Sequence, residues 1–229
     1  MKQLAGSEMP NTKTSLLIVD DEPSIRMSLS YVLGEIGYRV RTAEDGLSAL
    51  GELRREVPDL LLSDLNMPRM SGFELLSVVR RRFPAMQTIA MSGAFSGDEV
   101  PSGVAADGFY QKGSSMGCLL RLMDALPRPD RVIDNHTTAT EPIRVQQGSH
   151  GVMDGASVTI ACPECLRSFS HACGESNGEM RAVHCMHCDG LIHYALVEPV
   201  LEQAWQARDE KRNRFEATLR SADATSSFY

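Results

Sequence analysis

The feature that most constrains the fold is a short apolar run, Leu60-Leu61-Leu62-Ser63-Asp64, which lies between Pro58 and Pro68. A run this short and this apolar is typical of a strand buried on both faces of a parallel sheet. Asp64 then lies at the carboxyl end of that strand. Taken alone, an aspartate here also fits a turn cap. In open α/β sheets, however, the loops beyond these strand ends form the ligand crevice, so we expect Asp64 to face reactants.

A second apolar run ends in the same way. Residues 16–19 are Leu-Leu-Ile-Val, and Asp20 and Asp21 follow them directly. Two such strands would bring three carboxylates to one edge of the sheet. Carboxylates that close repel one another and raise one another's pKa unless a cation neutralises them, and oxygen ligands suit a hard divalent ion. The sequence therefore predicts a Mg2+ site formed by Asp20, Asp21 and Asp64.

Two more polar residues follow strand-like segments. Ser92 comes after residues 87–91, and Lys112 comes after residues 108–111. Phosphoryl transfer depends mainly on positioning and charge stabilisation once an acceptor is present. A carboxylate nucleophile, a divalent ion, a lysine charge and a hydroxyl donor would supply those parts. The pattern thus favours a phosphoacceptor site over unrelated surface charges.

Residues 14–126 resemble the receiver domain of two-component response regulators. Strand-like and helix-like segments alternate along this region, which predicts an α/β fold with a five-stranded parallel sheet, order 2-1-3-4-5, and flanking helices. The resemblance rests on motifs that lie in the same order as in the family, each where a predicted strand ends: Asp20-Asp21, Asp64-Leu65-Asn66-Met67-Pro68-x-Met70-Ser71-Gly72, Met91-Ser92-Gly93 and Phe109-x-x-Lys112.

The resemblance implies a role for each acidic residue. Asp64 would accept a phosphoryl group from a sensor histidine kinase or a phosphotransfer protein. Asp20 and Asp21 would hold Mg2+ together with Asp64, and Asn66 would offer its backbone carbonyl to the same ion. We expect no enzyme activity beyond self-catalysed uptake and loss of the phosphoryl group.

The resemblance also implies roles for three residues on the neighbouring strands. Ser92 and Lys112 would contact the phosphoryl oxygens, and Phe109 would be the aromatic residue whose burial reports the switch.

The chain departs from the family pattern at two places. Residues 94–107, where the family has its fourth helix, are about two residues short and contain Gly97, Pro101 and Gly103, so we expect that helix to be frayed or truncated. Lys112 precedes Gly113 where the family usually has proline. A cis bond is costly without proline, so we expect a trans bond or a more mobile loop.

A cysteine-containing region follows the receiver-like region. Its four cysteines have the spacing C-x2-C-x19-C-x2-C, which is typical of a structural zinc site, and they are Cys162, Cys165, Cys185 and Cys188. Strand-like flanks make the region resemble a zinc ribbon. Other candidate ligands rank lower because none is paired at this spacing: Cys173, His171, His184, His187 and His193. A redox dithiol is the alternative, although the thioredoxin-like βαβ pattern that it favours is missing.

The 229 residues suit one complete core and a smaller module. We predict six regions: a disordered N-terminus at 1–13, the receiver domain at 14–126, a flexible linker at 127–156, the zinc-ribbon-like module at 157–198, an amphipathic C-terminal helix at 199–221 and a disordered tail at 222–229.

Charge and hydropathy limit the partners. The net charge is −7, so the chain as a whole does not attract nucleic acid or an anionic membrane. The first fifteen residues have no apolar signal-like core and no later stretch has the length of a membrane span, so we expect a cytoplasmic protein.

The charge of the zinc-ribbon-like module indicates which kind of partner would receive the signal from the receiver. Between residues 157 and 200 only Arg167 and Arg181 oppose five carboxylates, a poor balance for binding phosphate backbones. We therefore expect output by protein–protein interaction through the ribbon. The alternatives are a phosphorylation-dependent transcription regulator, whose ribbon and C-terminal helix bind DNA, and a redox or metal sensor.

Overall fold

The computed structural model describes residues 14–93, 104–126, 142–146, 157–172 and 180–197. Its larger part is a five-stranded parallel sheet with the order β2-β1-β3-β4-β5, which confirms the predicted fold class and strand order. The strands are β1 (Ser15–Val19), β2 (Arg39–Ala43), β3 (Leu60–Asp64), β4 (Gln87–Ser92) and β5 (Gly108–Gln111).

The central strands are buried on both faces, as their continuous apolar runs predict. Every residue of β1 and β3 is buried. Leu17 and Leu61 pack into one apolar cluster, whereas Leu16, Ile18 and Leu62 pack into a second. Because successive side chains of a strand point to opposite faces, these clusters are the two layers of core that hold the sheet between its helices.

Among the described residues, four helices flank the sheet: α1 (Pro23–Ile36), α2 (Gly46–Arg55), α3 (Gly72–Arg82) and α4 (Met116–Ala125). The start of α3 matters most for the site. A Cβ placed on Gly72 would lie 1.9 Å from the backbone oxygen of Asp64, a distance that no side chain tolerates. Glycine at this position therefore lets the first turn of α3 pack directly against the backbone at the end of β3.

Five further strands form the second part of the structure: β6 (Ile143–Gln146), β7 (Ser157–Ala161), β8 (Ser168–Ala172), β9 (Met180–His184) and β10 (Leu191–Val197). β10 pairs in parallel with β6 and antiparallel with β9, and β7 pairs antiparallel with β8. We call the described residues 142–146, 157–172 and 180–197 the four-cysteine module.

One strand of the four-cysteine module lies within the segment predicted to be a flexible linker. Residues 142–146 are described, and β6 occupies four of them. Ile143 and Val145 are buried, at 1% and 2% exposed, and this burial accounts for the strand. The predicted linker therefore contains one ordered element of the module.

Several predicted segments lie outside the described residues. They are the N-terminus at 1–13, residues 94–103 of the shortened fourth-helix region, the C-terminal helix at 199–221 and the tail at 222–229. Within the part of the chain that the structure describes, no helix has both the length and the apolar character needed to cross a membrane.

Candidate phosphoacceptor and metal sites

The carboxyl edge of the parallel sheet gathers the predicted acidic residues. Asp20 follows β1 and is completely buried, Asp64 ends β3 and is 4% exposed, and Asp21 is exposed. Carboxylate oxygens of all three residues lie within 4.8 Å of one another. The structure thus brings together the three carboxylates that the sequence predicts as magnesium ligands.

Lys112 enters the same cluster from the end of β5. Its Nζ lies 2.8 Å from Asp64 Oδ2 and 2.8 Å from Asp20 Oδ2. The backbone fixes this reach, because the Lys112 N–H donates to the Ser92 carbonyl oxygen at 2.9 Å. One ammonium group therefore pairs with both buried carboxylates.

The site shifts the pKa of its central residues. Burial raises the pKa of Asp64 to about 6, although the hydrogen bond from Lys112 and its charge act in the opposite direction. Burial also acts against the charge of Lys112, but hydrogen bonds to Asp20 and Asp64 outweigh it and raise the pKa of the ammonium. At neutral pH Asp64 is therefore mostly ionised and Lys112 is charged, the states that a carboxylate nucleophile beside a fixed cation requires.

The remaining predicted site residues lie at the end of β4, within β5 and in the loop after β3. Ser92 ends β4 and is completely buried, and Phe109 on β5 is half-buried. The side-chain oxygen of Asn66 is buried and accepts no hydrogen bond within the described part of the chain. The clustered donors, Asp20, Asp21 and Asp64, offer oxygens only, and this set fits a hard divalent ion such as Mg2+. In receiver domains, acidic residues of this kind bind Mg2+.

After Lys112 the chain has Gly113 where the family usually has proline, and the backbone conformation of the loop explains this difference. Gly113 has φ +88°, in the left-handed region that glycine adopts readily. Proline, whose φ is fixed near about −65°, does not fit this backbone conformation. The described residues contain no cis peptide bond.

The four cysteines of the four-cysteine module form the second cluster. Their sulfur atoms all lie within 4.8 Å of one another, and the pairs Cys162–Cys188 and Cys165–Cys185 are each 3.7 Å apart. Four sulfurs bound tetrahedrally at about 2.3 Å from a zinc ion would be separated by about 3.8 Å. The observed spacing is therefore compatible with a closed Zn2+ site.

Two turns of matching geometry present these cysteines. In the first, the Cys162 N–H donates to the Arg167 carbonyl and the Leu166 N–H donates to the Cys162 carbonyl. The second turn repeats both bonds, from the Cys185 N–H to the Gly190 carbonyl and from the Asp189 N–H to the Cys185 carbonyl. Leu166 and Asp189, the residues after the second cysteine of each turn, have φ of +55° and +60°. Leu166 thus adopts the same turn conformation as Asp189, although neither residue is glycine.

The cysteine thiols differ in how readily they ionise. Burial raises the pKa of Cys162 to about 12 and also raises the pKa of Cys165. Burial opposes ionisation of Cys185 too, but N–H groups of His187 and Cys188 donate to its sulfur and lower its pKa. Metal binding must therefore displace thiol protons, which couples zinc affinity to pH.

The histidines ranked as weaker zinc ligands make other contacts. His187 Nε2 lies 3.3 Å from the Ser168 carbonyl oxygen, and His184 Nδ1 lies 3.0 Å from the Asp189 carbonyl oxygen. Cys173 lies outside the described residues. Among the described residues, the sulfur cluster consists of the four predicted cysteines.

Glu74 is a buried carboxylate that the sequence analysis does not single out. It is 3% exposed in the first turn of α3, and burial raises its pKa to about 7. Ser71 and Glu74 form a capping box, in which each side chain accepts from the other residue's backbone N–H. The spacing Ser-x-x-Glu before an apolar helix is a recognisable sequence signal, and it would have marked this residue.

Comparison with known proteins finds a family match within the larger part of the structure. Residues 16–118 match the family described as response regulator receiver domain. Protein-glutamate methylesterase/protein-glutamine glutaminase 1 of Anaeromyxobacter dehalogenans is 40% identical over 85 residues, which are 37% of this chain and 24% of that protein. The transcriptional regulator NtrC of Escherichia coli K12 is 32% identical over 139 residues, 56% of this chain and 27% of NtrC.

Solved structures include similar chains. In the complex of histidine kinase ThkA with response regulator TrrA, a protein of Thermotoga maritima, one chain is 32% identical to this protein with a TM-score of 0.47. The match covers 50% of this chain and 98% of that one. The curated relatives are longer, since this chain spans only 24% and 27% of the two proteins named above.

Proposed function

Because residues 16–118 match the response regulator receiver domain family, we propose that this chain is a response regulator whose Asp64 accepts a phosphoryl group from a sensor histidine kinase. One observation carries the proposal: Asp64, Asp20 and Asp21 cluster within 4.8 Å, and Lys112 Nζ lies 2.8 Å from Asp64. Receiver domains partner with histidine kinases, and transfer from a phosphotransfer protein would use the same acceptor.

The residues support a direct transfer. An ionised Asp64 oxygen attacks the phosphorus atom, an acyl phosphate bond forms, and the bond from phosphorus to the donor's nitrogen or oxygen breaks. Lys112 then pairs with the added negative charge, while the Ser92 hydroxyl is a donor at the same edge of the sheet. Asp20, Asp21 and Asp64 would hold Mg2+, which would supply positive charge to neutralise the transferring group. The proposal includes no catalysis on other substrates, only uptake and self-catalysed loss of the phosphoryl group.

Intact mass measurement after incubation with acetyl phosphate and Mg2+ tests this assignment. The parent chain should gain one phosphoryl group, and Asp64→Asn should gain none. Asp124→Asn, which changes an exposed carboxylate on α4, is the matched control and should behave as the parent. Phosphoryl uptake by Asp64→Asn at the parent's rate would refute Asp64 as the acceptor.

We further propose that the four-cysteine module binds one structural zinc ion through Cys162, Cys165, Cys185 and Cys188. Sulfur separations of 3.7 Å support a tetrahedral site, and four thiolates leave no open position for catalysis. Elemental analysis of protein purified under reducing conditions should give one zinc per chain. Absence of zinc would favour the redox dithiol instead.

In this proposal the phosphorylation signal passes to a protein that binds the four-cysteine module. The acidic balance of that module supports a protein rather than a nucleic-acid partner. The predicted cytoplasmic location is part of this proposal. Titration of residues 1–229 against random-sequence duplex DNA at low salt should give no binding in the micromolar range, and binding that weakens steeply with salt would favour the transcription-regulator alternative.

A further inference from the structure

The sheet formed by β6, β10 and β9 has one covered face. Ile192, Tyr194 and Leu196 of β10 are at most 1% exposed and belong to the apolar cluster that continues into the receiver. One edge of this sheet is also occupied, because the Gln146 N–H of β6 donates to Glu74 of α3 at 2.9 Å. The alternate residues of β10 point to the opposite side and are all exposed or half-buried.

That opposite side of β9 and β10 is uncharged and mostly apolar. Residues directly opposite one another on the two strands share a face. Seven residues form what we call the outward face: Met180, Ala182, His184, Leu191, His193, Ala195 and Val197. None of them is a carboxylate, a lysine or an arginine. Met180 and Leu191 are 64% and 48% exposed, and a contiguous face of this kind marks a contact surface.

Small and large residues alternate across the outward face. Ala182 lies opposite His193, and Ala195 lies opposite Met180. Each alanine leaves room above the sheet beside a larger side chain. Alternation of this kind lets bulky side chains of another layer interdigitate with the face.

The chain itself supplies a segment of fitting chemistry. Residues 198–229 follow β10 directly and lie outside the described residues. Pro199 cannot donate to a continued strand ladder, and it suits the first position of a helix. Four apolar residues then recur at helical spacing: Val200, Leu201, Ala204 and Trp205. The sequence thus places an apolar helical stripe immediately after the strand that carries half of the outward face.

The lengths of the two elements agree. Along a helix, Trp205 lies about 7.5 Å from Val200, at about 1.5 Å per residue. Along β10, Ala195 lies roughly 7 Å back from Val197, at about 3.3 Å per residue. A helix that turns back over the outward face from the end of β10 therefore brings Trp205 above Ala195.

Charge favours this segment over a second copy of the module. Between residues 157 and 200 five carboxylates oppose Arg167 and Arg181, whereas residues 208–214 contain four basic side chains and two acidic ones. The basic part of the segment would lie beside an acidic module, and such complementarity suppresses wrong partners. Two copies of the outward face would instead bring two acidic modules together.

We propose that residues 199–221 of this chain cover the outward face as an amphipathic helix, with Trp205 packed against Ala195 and Met180. The proposal goes beyond the proposed function and does not depend on phosphorylation of Asp64. The helix gives the three-stranded sheet an apolar layer on its second side. A module this small gains more from such a layer than a large domain does, because its own core is limited.

Trp205 is the only tryptophan of the chain, so its fluorescence reports this contact in the full-length protein. A tryptophan packed on an apolar surface emits at shorter wavelength than one in water. The parent, purified under reducing conditions, should therefore show blue-shifted emission relative to the same chain in denaturant, at every protein concentration. Equal emission in the two states would overturn the proposal. A blue shift that disappears on dilution would also overturn it, because the occupant would then be a second copy.

A charge on the outward face tests the location of the contact. Met180→Asp introduces this charge, and Met27→Asp makes the same change on α1, where Met27 is 70% exposed. Burial of an unpaired charge is costly, so Met180→Asp should lose the blue shift and Met27→Asp should keep it. A blue shift retained in Met180→Asp, or lost in Met27→Asp, would overturn the proposal.

A second measurement covers the case in which Met180→Asp does not fold. Hydroxyl-radical labelling, read by mass spectrometry, compares Met180 with Met27 within one chain, and Trp205→Ser leaves the sheet unchanged. Truncation of an aromatic anchor should lower the ratio of docked to free segment by roughly 30-fold. Met180 should therefore be protected in the parent and label as readily as Met27 in Trp205→Ser. Equal labelling of Met180 in both proteins would overturn the proposal.

Discussion

Stability should depend on pH through Glu74, and Glu74→Gln should remove that dependence. The carboxyl group has a usual pKa of 4.5, and burial raises this pKa to about 7 in the folded chain. Between these values the folded state binds more protons than the unfolded state, so the free energy of unfolding falls as pH rises. The contribution is complete below pH 4.5 and is lost above pH 7.

The size of the effect follows from the pKa values. Each pH unit is worth about 1.36 kcal/mol, so a rise from 4.5 to about 7 corresponds to roughly 3 kcal/mol in total. About 1 kcal/mol of this falls between about pH 6 and pH 8. Glutamine does not titrate, so the variant should lack this part of the change.

Denaturant unfolding of the zinc-loaded chain at pH 6, 7 and 8 is the assay. Asp64 also has a raised pKa, about 6, but it is present in both proteins and cancels in their difference. Glu35→Gln, on the exposed side of α1, controls for the substitution itself. If the difference in unfolding free energy between parent and Glu74→Gln stays constant from pH 6 to pH 8, Glu74 does not titrate as its burial implies and the reasoning fails.

Three further predictions concern other sites. Lys112→Ala should slow phosphoryl uptake from acetyl phosphate by roughly 100-fold, because it removes the cation paired with Asp64, and single-turnover mass measurements check the rate. Cys162→Ser should reduce the zinc content from one ion per chain to none and abolish exchange protection in β7, because metal binding and folding of such modules are coupled. Gly72→Ala should destabilise the fold by more than about 3 kcal/mol in denaturant unfolding, since its Cβ would meet the Asp64 oxygen at 1.9 Å, whereas Gly51→Ala within α2 should stabilise it by about 0.5–1 kcal/mol.

The parallel sheet was predictable because its central strands are buried on both faces. β1 and β3 consist of continuous apolar runs, and that pattern is a property of the local sequence. The cluster of Asp20, Asp64 and Lys112 followed from the same interpretation, since parallel strands end at a common edge of the sheet. The cysteine cluster could also be predicted, because its two C-x2-C pairs are visible in the sequence.

The docked module was not predictable in the same way. β6 has only four residues, with polar and small residues around it, and its pairing partner β10 begins at Leu191. Its other edge bonds to side chains of α3, which lie about 70 positions earlier in the chain. Neither contact leaves a periodic signal in the local sequence. Glu74 was missed for a different reason, because its capping box was visible but its burial depends on the module.

The double pairing of Lys112 has a consequence for how the receiver behaves when magnesium is scarce. A single ammonium group already serves as counter-ion to both Asp20 and Asp64, so it offsets part of the repulsion between these two carboxylates. A divalent ion that enters the cluster competes with this resident charge, which lowers its net affinity. Magnesium should therefore bind weakly to the resting protein and more firmly once a phosphoryl group supplies further oxygens and draws Lys112 toward itself.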